Sequence, residues 1–143
     1  MTSRLKDKWV LITGASSGFG AAAALAFAAE GAKLLLGARR IDRLEKIAAD
    51  AMKAGASAAH VHSLDVSKTA SVEKFVEWAK TIIAQSPSPL NALHVLINNA
   101  GGAHGLDTVA TGKDEDWETM FQTNTLGVLR MTRAALPDRK SVV

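Results

Sequence analysis

Short apolar runs alternate with longer amphipathic stretches along the chain. Residues 8–13 (KWVLIT), 32–38 (AKLLLGA), 58–66 (AAHVHSLDV) and 93–98 (LHVLIN) are rich in strand-forming side chains. An alanine-rich helix follows the first run and ends near Glu30, with Gly31 placed where a helix closes on positive φ. Residues 41–55 put Leu44, Ile47, Ala48 and Ala51 on one helical face, and Gly55 stops that helix. Residues 71–84 turn Val72, Phe75, Val76, Ala79, Ile82 and Ile83 inward, with Ser67 or Thr69 as the cap. Residues 86–92 read as a loop. A glycine-rich loop at 101–112 leads into one long helix over about 114–135.

The strand runs are apolar almost throughout, so both faces of the sheet are covered. Strand and helix alternate four times. Together these features predict an α/β fold with a parallel sheet between helical layers. Right-handed crossovers leave few topologies, and the expected strand order is 3-2-1-4. This is a Rossmann-like, doubly wound sheet stopping after four strands. Its crevice is expected at the carboxyl ends of strands 1 and 4.

Composition narrows the reading only slightly. The 143 residues carry a net charge of +3, and 48% are hydrophobic. One domain is expected at that length. The basic residues fall in small scattered groups without interleaved aromatics, which argues against nucleic acid. There is no cysteine, which excludes disulfides and thiolate metal sites and suits the cytoplasm. The longest apolar run, residues 21–29, is far below the roughly 20 residues of a membrane span. His60 and His62 alternate on a strand with no spaced third ligand, so these, His94 and His104 are expected to be structural or surface residues.

The chemistry-bearing stretch is VLITGASSGFG, residues 10–20. Gly14, Gly18 and Gly20 fall between a strand and the start of a helix. A helix amino end presents unpaired N–H groups and partial positive charge, and glycine lets an anion approach the main chain. Ser16 and Ser17 add hydroxyl donors. Gly14, Ser16, Ser17, Gly18, Phe19 and Gly20 are therefore candidates for a pyrophosphate cradle. The spacing is T-G-x-x-x-G-x-G. With NNAGG at 98–102, LDV at 64–66 and TNTLGVLRMTRAALP at 123–137, it resembles the classical short-chain dehydrogenase/reductase family, amino-terminal part.

The resemblance implies a role for each match. Asp65, at a strand end, accepts from an adenine amino group while Val66 packs on the ring; the alternative is an ordinary strand-end aspartate. Asn98 and Asn99 tie strand ends together beneath the cofactor, and Asn98 is carried as cofactor-binding. Ala100 and Gly101 are small enough for a ribose to lie against the backbone. Where NAD-preferring relatives place an acid after strand 2, this chain has Ala38 followed by Arg39 and Arg40. A guanidinium fork suits a 2′-phosphate, so the expected cofactor is NADP(H), unless both arginines are simply solvated. Asn124 lies among Trp117, Met120, Phe121, Val128 and Met131 on one expected apolar stripe. In the family an asparagine here holds a water relay to the catalytic lysine, so Asn124 is the catalytic candidate; a satisfied core asparagine is the alternative. No metal site is expected.

Family members move a hydride between nicotinamide and an alcohol or carbonyl, with proton transfer by a Tyr-x-x-x-Lys and substrate orientation by a serine. This chain contains no tyrosine. Residues 1–137 are accordingly expected to be an incomplete dinucleotide-binding domain, inactive alone. The unpaired fourth strand predicts poor solubility and weak coenzyme affinity. Residues 138–143 (DRKSVV) are expected to be non-native. The codons GAT CGG AAG AGC GTC GTG TAG encode that peptide and a stop, and they match the start of a common sequencing adapter; a frameshift or a naturally short product are the alternatives. The helix bearing Asn124 resembles the branch acting on serine and other 3-hydroxy acids. The intact protein is expected to form a homo-oligomer and to act on a small alcohol or carbonyl, without membrane or nucleic acid. A non-catalytic dinucleotide-binding module or a non-functional fragment remain the competing readings.

Overall fold

The computed structural model describes residues 3–86 and 92–136. The elements run β1 (Trp9–Thr13), α1 (Gly18–Ala29), β2 (Lys33–Ala38), α2 (Ile41–Ala54), β3 (Ala58–Ser63), α3 (Thr69–Ala84), β4 (Leu93–Ile97), α4 (Asp114–Phe121), a π-turn (Gln122–Leu126) and α5 (Gly127–Ala135). All pairings are parallel and the order is β3-β2-β1-β4, as the alternating pattern predicts. Most of the expected loop 86–92, Pro137 and the tail 138–143 lie outside the described residues.

The two-residue period of the strands divides the core into two layers. Val10, Ile12, Leu34 and Leu36 pack on one side with Ala24 and Ala28 of α1 and Leu44 and Ala51 of α2. Trp9, Leu11 and Leu35 pack on the other with Val72, Phe75, Val76, Ala79 and Ile83 of α3 and Met131 of α5. Each central strand thus buries both its faces, which is why the runs read as continuously apolar. The small alanines of α1 allow that helix to sit close to the sheet. Gly31 (φ 72°) and Gly55 (φ 117°) close α1 and α2 in the left-handed conformation, as expected.

Three local expectations need correction. β3 ends at Ser63 rather than 66, because its partner β2 ends at Ala38 and the chain turns at Asp65, whose main-chain oxygen accepts from Lys68 N–H (3.1 Å). α3 starts at Thr69, and neither Ser67 nor Thr69 caps it; its N-cap is Lys68, while the Ser67 hydroxyl donates to Asp65. The long helix is interrupted by the π-turn, and its first half is not a core element. Trp117 is 44% and Phe121 54% exposed, whereas Gly127 and Met131 are buried. Only α5 packs closely on α3 and β4; α4 extends past them.

The amino end of the sheet has a pH-sensitive joint. The β1/β4 register shifts between Trp9 and Val10, leaving His94 opposite the irregularity. Trp9 N–H donates to His94 Nδ1 at 3.1 Å, so the ring must be neutral at that nitrogen. Burial, then the charges of Lys8 and Lys33, hold the His94 pKa below its usual 6.5. A depressed imidazole pKa gives stability that is complete above the unfolded value and lost as pH falls through the folded one. The urea midpoint should therefore drop as pH falls below about 6.5, and drop less in His94→Asn, whose amide oxygen keeps the acceptor. Equal pH profiles for the two chains would contradict the role of this joint.

Candidate active site: a crevice at the carboxyl end of the sheet

The carboxyl ends of β1, β2 and β4 and the turn after β3 surround a crevice of about 820 Å³. On the β1 side it is lined by Gly14, Ser16, Ser17 and Phe19. Gly14 (φ 67°) and Gly18 (φ 55°) give the loop its left-handed turns. A Cβ on Gly20 would lie 2.3 Å from Gly14 O and 2.5 Å from Asn99 Nδ2, so only glycine lets α1 begin this close to the strand. Ser17 is the N-cap of α1, yet its hydroxyl makes no capping bond. The first turn of α1 therefore offers unpaired N–H groups and a hydroxyl at the crevice, the donor set an anion needs. Gly20→Ala should destabilise the fold by roughly 2–3 kcal/mol and abolish anion binding at the loop, as read by urea melts and phosphate titration. Wild-type behaviour on both readouts would refute this account of the turn.

A hydrogen-bonded latch holds the floor of the crevice. Thr13, 1% exposed, accepts at Oγ1 from Asn99 N–H (3.1 Å) and Ala100 N–H (2.9 Å), and donates to Ile97 O (3.4 Å). Asn99 Nδ2 donates back to Thr13 O and Gly14 O, both at 3.1 Å. The ends of β1 and β4 are thereby joined through side chains where the ladder stops. Ala100 and Gly101 line the crevice just beyond. Asn98 does not: its Nδ2 donates to Thr132 Oγ1 (3.1 Å) on α5, so it braces β4 against the helix layer. Asn98, expected at the cofactor, thus lies outside the crevice lining, and its neighbour Asn99 lines it.

On the far side stand Ala38, Arg39 and Arg40, with Asp65, Val66, Ser67 and Lys68 from the turn after β3. Asp65 Oδ1 accepts from Ser67 N–H (3.0 Å) and Ser67 Oγ (2.6 Å), and Lys68 Nζ lies 3.8 Å from Oδ2. Burial pushes the Asp65 carboxyl up, but the Ser67 bonds and the charges of Lys68 and Arg39 outweigh it and hold the pKa below the usual value. Asp65 is thus an ionised acceptor, with Oδ2 facing the exposed Lys68 ammonium at ion-pair rather than hydrogen-bond distance. Arg39 and Arg40 are exposed at the rim.

The wall from α4 and the π-turn contributes Thr119, Gln122 and Thr123. Asn124 is not part of the lining. Both ends of its amide are engaged by the loop after β4: Gly102 N–H donates to Oδ1 and Asn124 Nδ2 donates to Gly102 O, each at 2.8 Å. Its amide is satisfied, but it is exposed and not a core residue; of the expected stripe, Met131 is buried and Val128 half-buried, while Trp117 and Phe121 are exposed. His104, expected at the surface, lines the crevice from the exposed loop. His60 stacks near Trp9 and His62 near Trp78, which are packing roles. Among the described residues, no three His, Asp or Glu side chains group closely enough to hold a metal ion.

A strand, a glycine turn into a helix amino end, and a crevice beside the adjoining strand narrow the possible families. The family model for short chain dehydrogenases matches residues 8–141. The chain belongs to the short chain dehydrogenase family. It is 34% identical over 128 residues to the NADP-dependent 3-hydroxy acid dehydrogenase YdfG of Shigella flexneri, covering 90% of this chain and 47% of that protein. It is 40% identical over 136 residues to the NADP-dependent 3-hydroxy acid dehydrogenase of Schizosaccharomyces pombe, covering 94% and 50%. Among solved structures it resembles an alcohol dehydrogenase from the archaeon Thermococcus sibiricus complexed with 5-hydroxy-NADP, with a TM-score of 0.80, 37% identity, and 91% and 52% coverage. This chain therefore spans about half the length of the curated relatives it matches.

Within this short chain dehydrogenase, sequence reasoning missed Thr13 as the hub of the floor, and Ser67 and Lys68 at the Asp65 turn. Ser67 carried a signal: aspartate followed two residues later by serine is a common local turn pattern. Thr13 carried none beyond its place before Gly14, since its partners are more than eighty residues away. Among the described residues no helix is long and apolar enough to cross a membrane.

Proposed function

We propose that the crevice binds NADP(H) and that the chain is the coenzyme-binding part of an oxidoreductase acting on a small alcohol or carbonyl. The observation that carries the reading is the pairing of an anion-ready α1 amino end with Arg39 and Arg40 across one crevice. The glycine turn fits the group, because Gly14 and Gly18 take positive φ and Gly20 lets α1 begin against Gly14 and Asn99, which brings the α1 amino end to the crevice. In this reading the N–H groups at the start of α1, with Ser16 and Ser17, hold the pyrophosphate. Arg39 and Arg40 grip the 2′-phosphate by charge-assisted bonds. Asp65 accepts from the adenine amino group, and Val66 covers one ring face. Ala100 and Gly101 leave room for the nicotinamide ribose. Held there, NADP(H) would supply hydride-transfer chemistry.

Asn124 is the residue of this chain assigned to the catalytic apparatus, as holder of a water relay. It also fixes the Gly102 backbone in the loop after β4. The tyrosine and lysine that move the proton in this family have no counterpart here, since the chain contains no tyrosine. Residues 1–137 are read as the coenzyme-binding part. The 3-hydroxy acid dehydrogenases from Shigella flexneri and Schizosaccharomyces pombe support serine or another 3-hydroxy acid as the substrate of the whole protein. The test is to extend the chain from Pro137 with its genomic continuation and assay NADP-linked oxidation of serine and 3-hydroxypropionate. Activity in the extended protein and none in the 143-residue chain is the expected result. A continuation lacking a serine and a Tyr-x-x-x-Lys, or an inert product, would overturn the enzyme reading.

A further inference from the structure

The π-turn touches both sides of the crevice at once. Its Asn124 holds Gly102 after β4 through the paired 2.8 Å bonds. Its far end abuts the turn after β3: a Cβ on Gly127 would lie 2.8 Å from Val66 Cγ2, so glycine allows that contact. One side chain fastens the arrangement. Arg130 on α5 donates from Nη1 to Val66 O (3.2 Å) and Gln122 O (3.0 Å), and from Nη2 to Gln122 Oε1 (2.6 Å). Gln122 O also accepts the Gly127 N–H that closes the wide turn. A π-turn is less favourable than α-helix and persists where its surroundings hold it. A guanidinium presents its donors in a rigid planar fork from two nitrogens, whereas the three donors of an ammonium share one nitrogen.

We propose that Arg130 is a positioning residue that clamps the π-turn to the Val66 backbone, and so couples the adenine side of the crevice to Asn124 and Gly102 on the opposite side. Arg130 does not line the crevice, so it acts through Val66 and Gln122 rather than on a ligand. The clamp itself stands on the protein contacts alone. Only its consequence for coenzyme rests on the NADP(H) reading.

The test is amide exchange at Gly102, whose N–H is bonded to Asn124 Oδ1. Arg130→Met should speed that exchange by at least about tenfold without ligand, as expected when a charged hydrogen-bonding partner is lost. Arg133→Met, on the same helix, removes a charge but none of the three bonds and should leave Gly102 unchanged. Arg130→Lys is measured beside them, and its exchange should be intermediate; it decides the matter if the methionine variant does not fold. In a second arm the adenosine bisphosphate portion of NADP is added. In the unmodified chain it should slow Gly102 exchange from across the crevice, and in Arg130→Lys that response should shrink. Unchanged exchange in both Arg130 variants, or equal effects of Arg130 and Arg133, would overturn the clamp. Failure of the adenosine bisphosphate to bind the unmodified chain would instead count against the NADP(H) reading, with the ligand-free comparison still deciding the clamp.

Discussion

Replacing Arg39 and Arg40 together by alanine should erase the chain's preference for NADPH over NADH. The two guanidinium groups stand at the rim of the crevice directly after Ala38, the position where an acid would repel a 2′-phosphate. A hydrogen bond to a charged group contributes about 1.5–3 kcal/mol. Loss of both arginines should therefore weaken NADPH by about two to four orders of magnitude, less the screening that exposed charges suffer in salt. NADH, lacking the 2′-phosphate, should change by only a few-fold. Both side chains are exposed, so the melting temperature should stay near that of the parent chain. Calorimetric titrations of the two coenzymes against both chains make the comparison. Parallel losses for NADPH and NADH would place the arginines away from the 2′-phosphate.

Thr13→Val should be among the most destabilising single changes available at the site. The substitution nearly preserves shape but removes the oxygen that accepts from Asn99 N–H and Ala100 N–H. Thr13 is 1% exposed, so water cannot readily replace it. The part-buried Ala100 N–H is left unpaired, while Asn99 N–H loses one of two acceptors and keeps Ile97 O (3.1 Å), so a loss of about 1–3 kcal/mol is expected from chemical denaturation. Coenzyme affinity should fall too, because Asn99 and Ala100 line the crevice. Thr13→Ser keeps the oxygen and should recover most of both properties. A valine chain as stable as the parent would show that the latch is dispensable.

The layers and strand order were legible because they depend on local pattern. Leu34, Leu35 and Leu36 in succession can be satisfied only by a strand buried on both faces, and Gly55 ends α2 where a left-handed residue is required. The glycine turn was legible for the same reason. What stayed hidden depends on distant partners. Asn98 and Asn99 are adjacent and chemically identical, yet one meets Thr132 of α5 and the other Thr13 and Gly14. The direction in which the chain leaves β4 separates them, and no composition encodes that. The π-turn spans Gln122–Leu126, too short a slip to disturb an apolar periodicity read over the whole helix. Trp117 and Phe121 carry the helical spacing of a buried face, but α4 extends beyond the elements that would cover them. Periodicity gives the face of a helix and leaves open whether anything lies against it.

The central claim is that the amino end of α1 holds the pyrophosphate, and the arginines after β2 the 2′-phosphate, of one coenzyme. Backbone amide shifts of the chain titrated with NADPH test it most directly. The account predicts the largest changes at Ser17 to Gly20 and at Arg39 and Arg40, saturating together at one affinity, with the Arg39 and Arg40 changes much smaller when NADH is used. Saturable shifts confined to another surface, or none at either segment at millimolar NADPH, would contradict it.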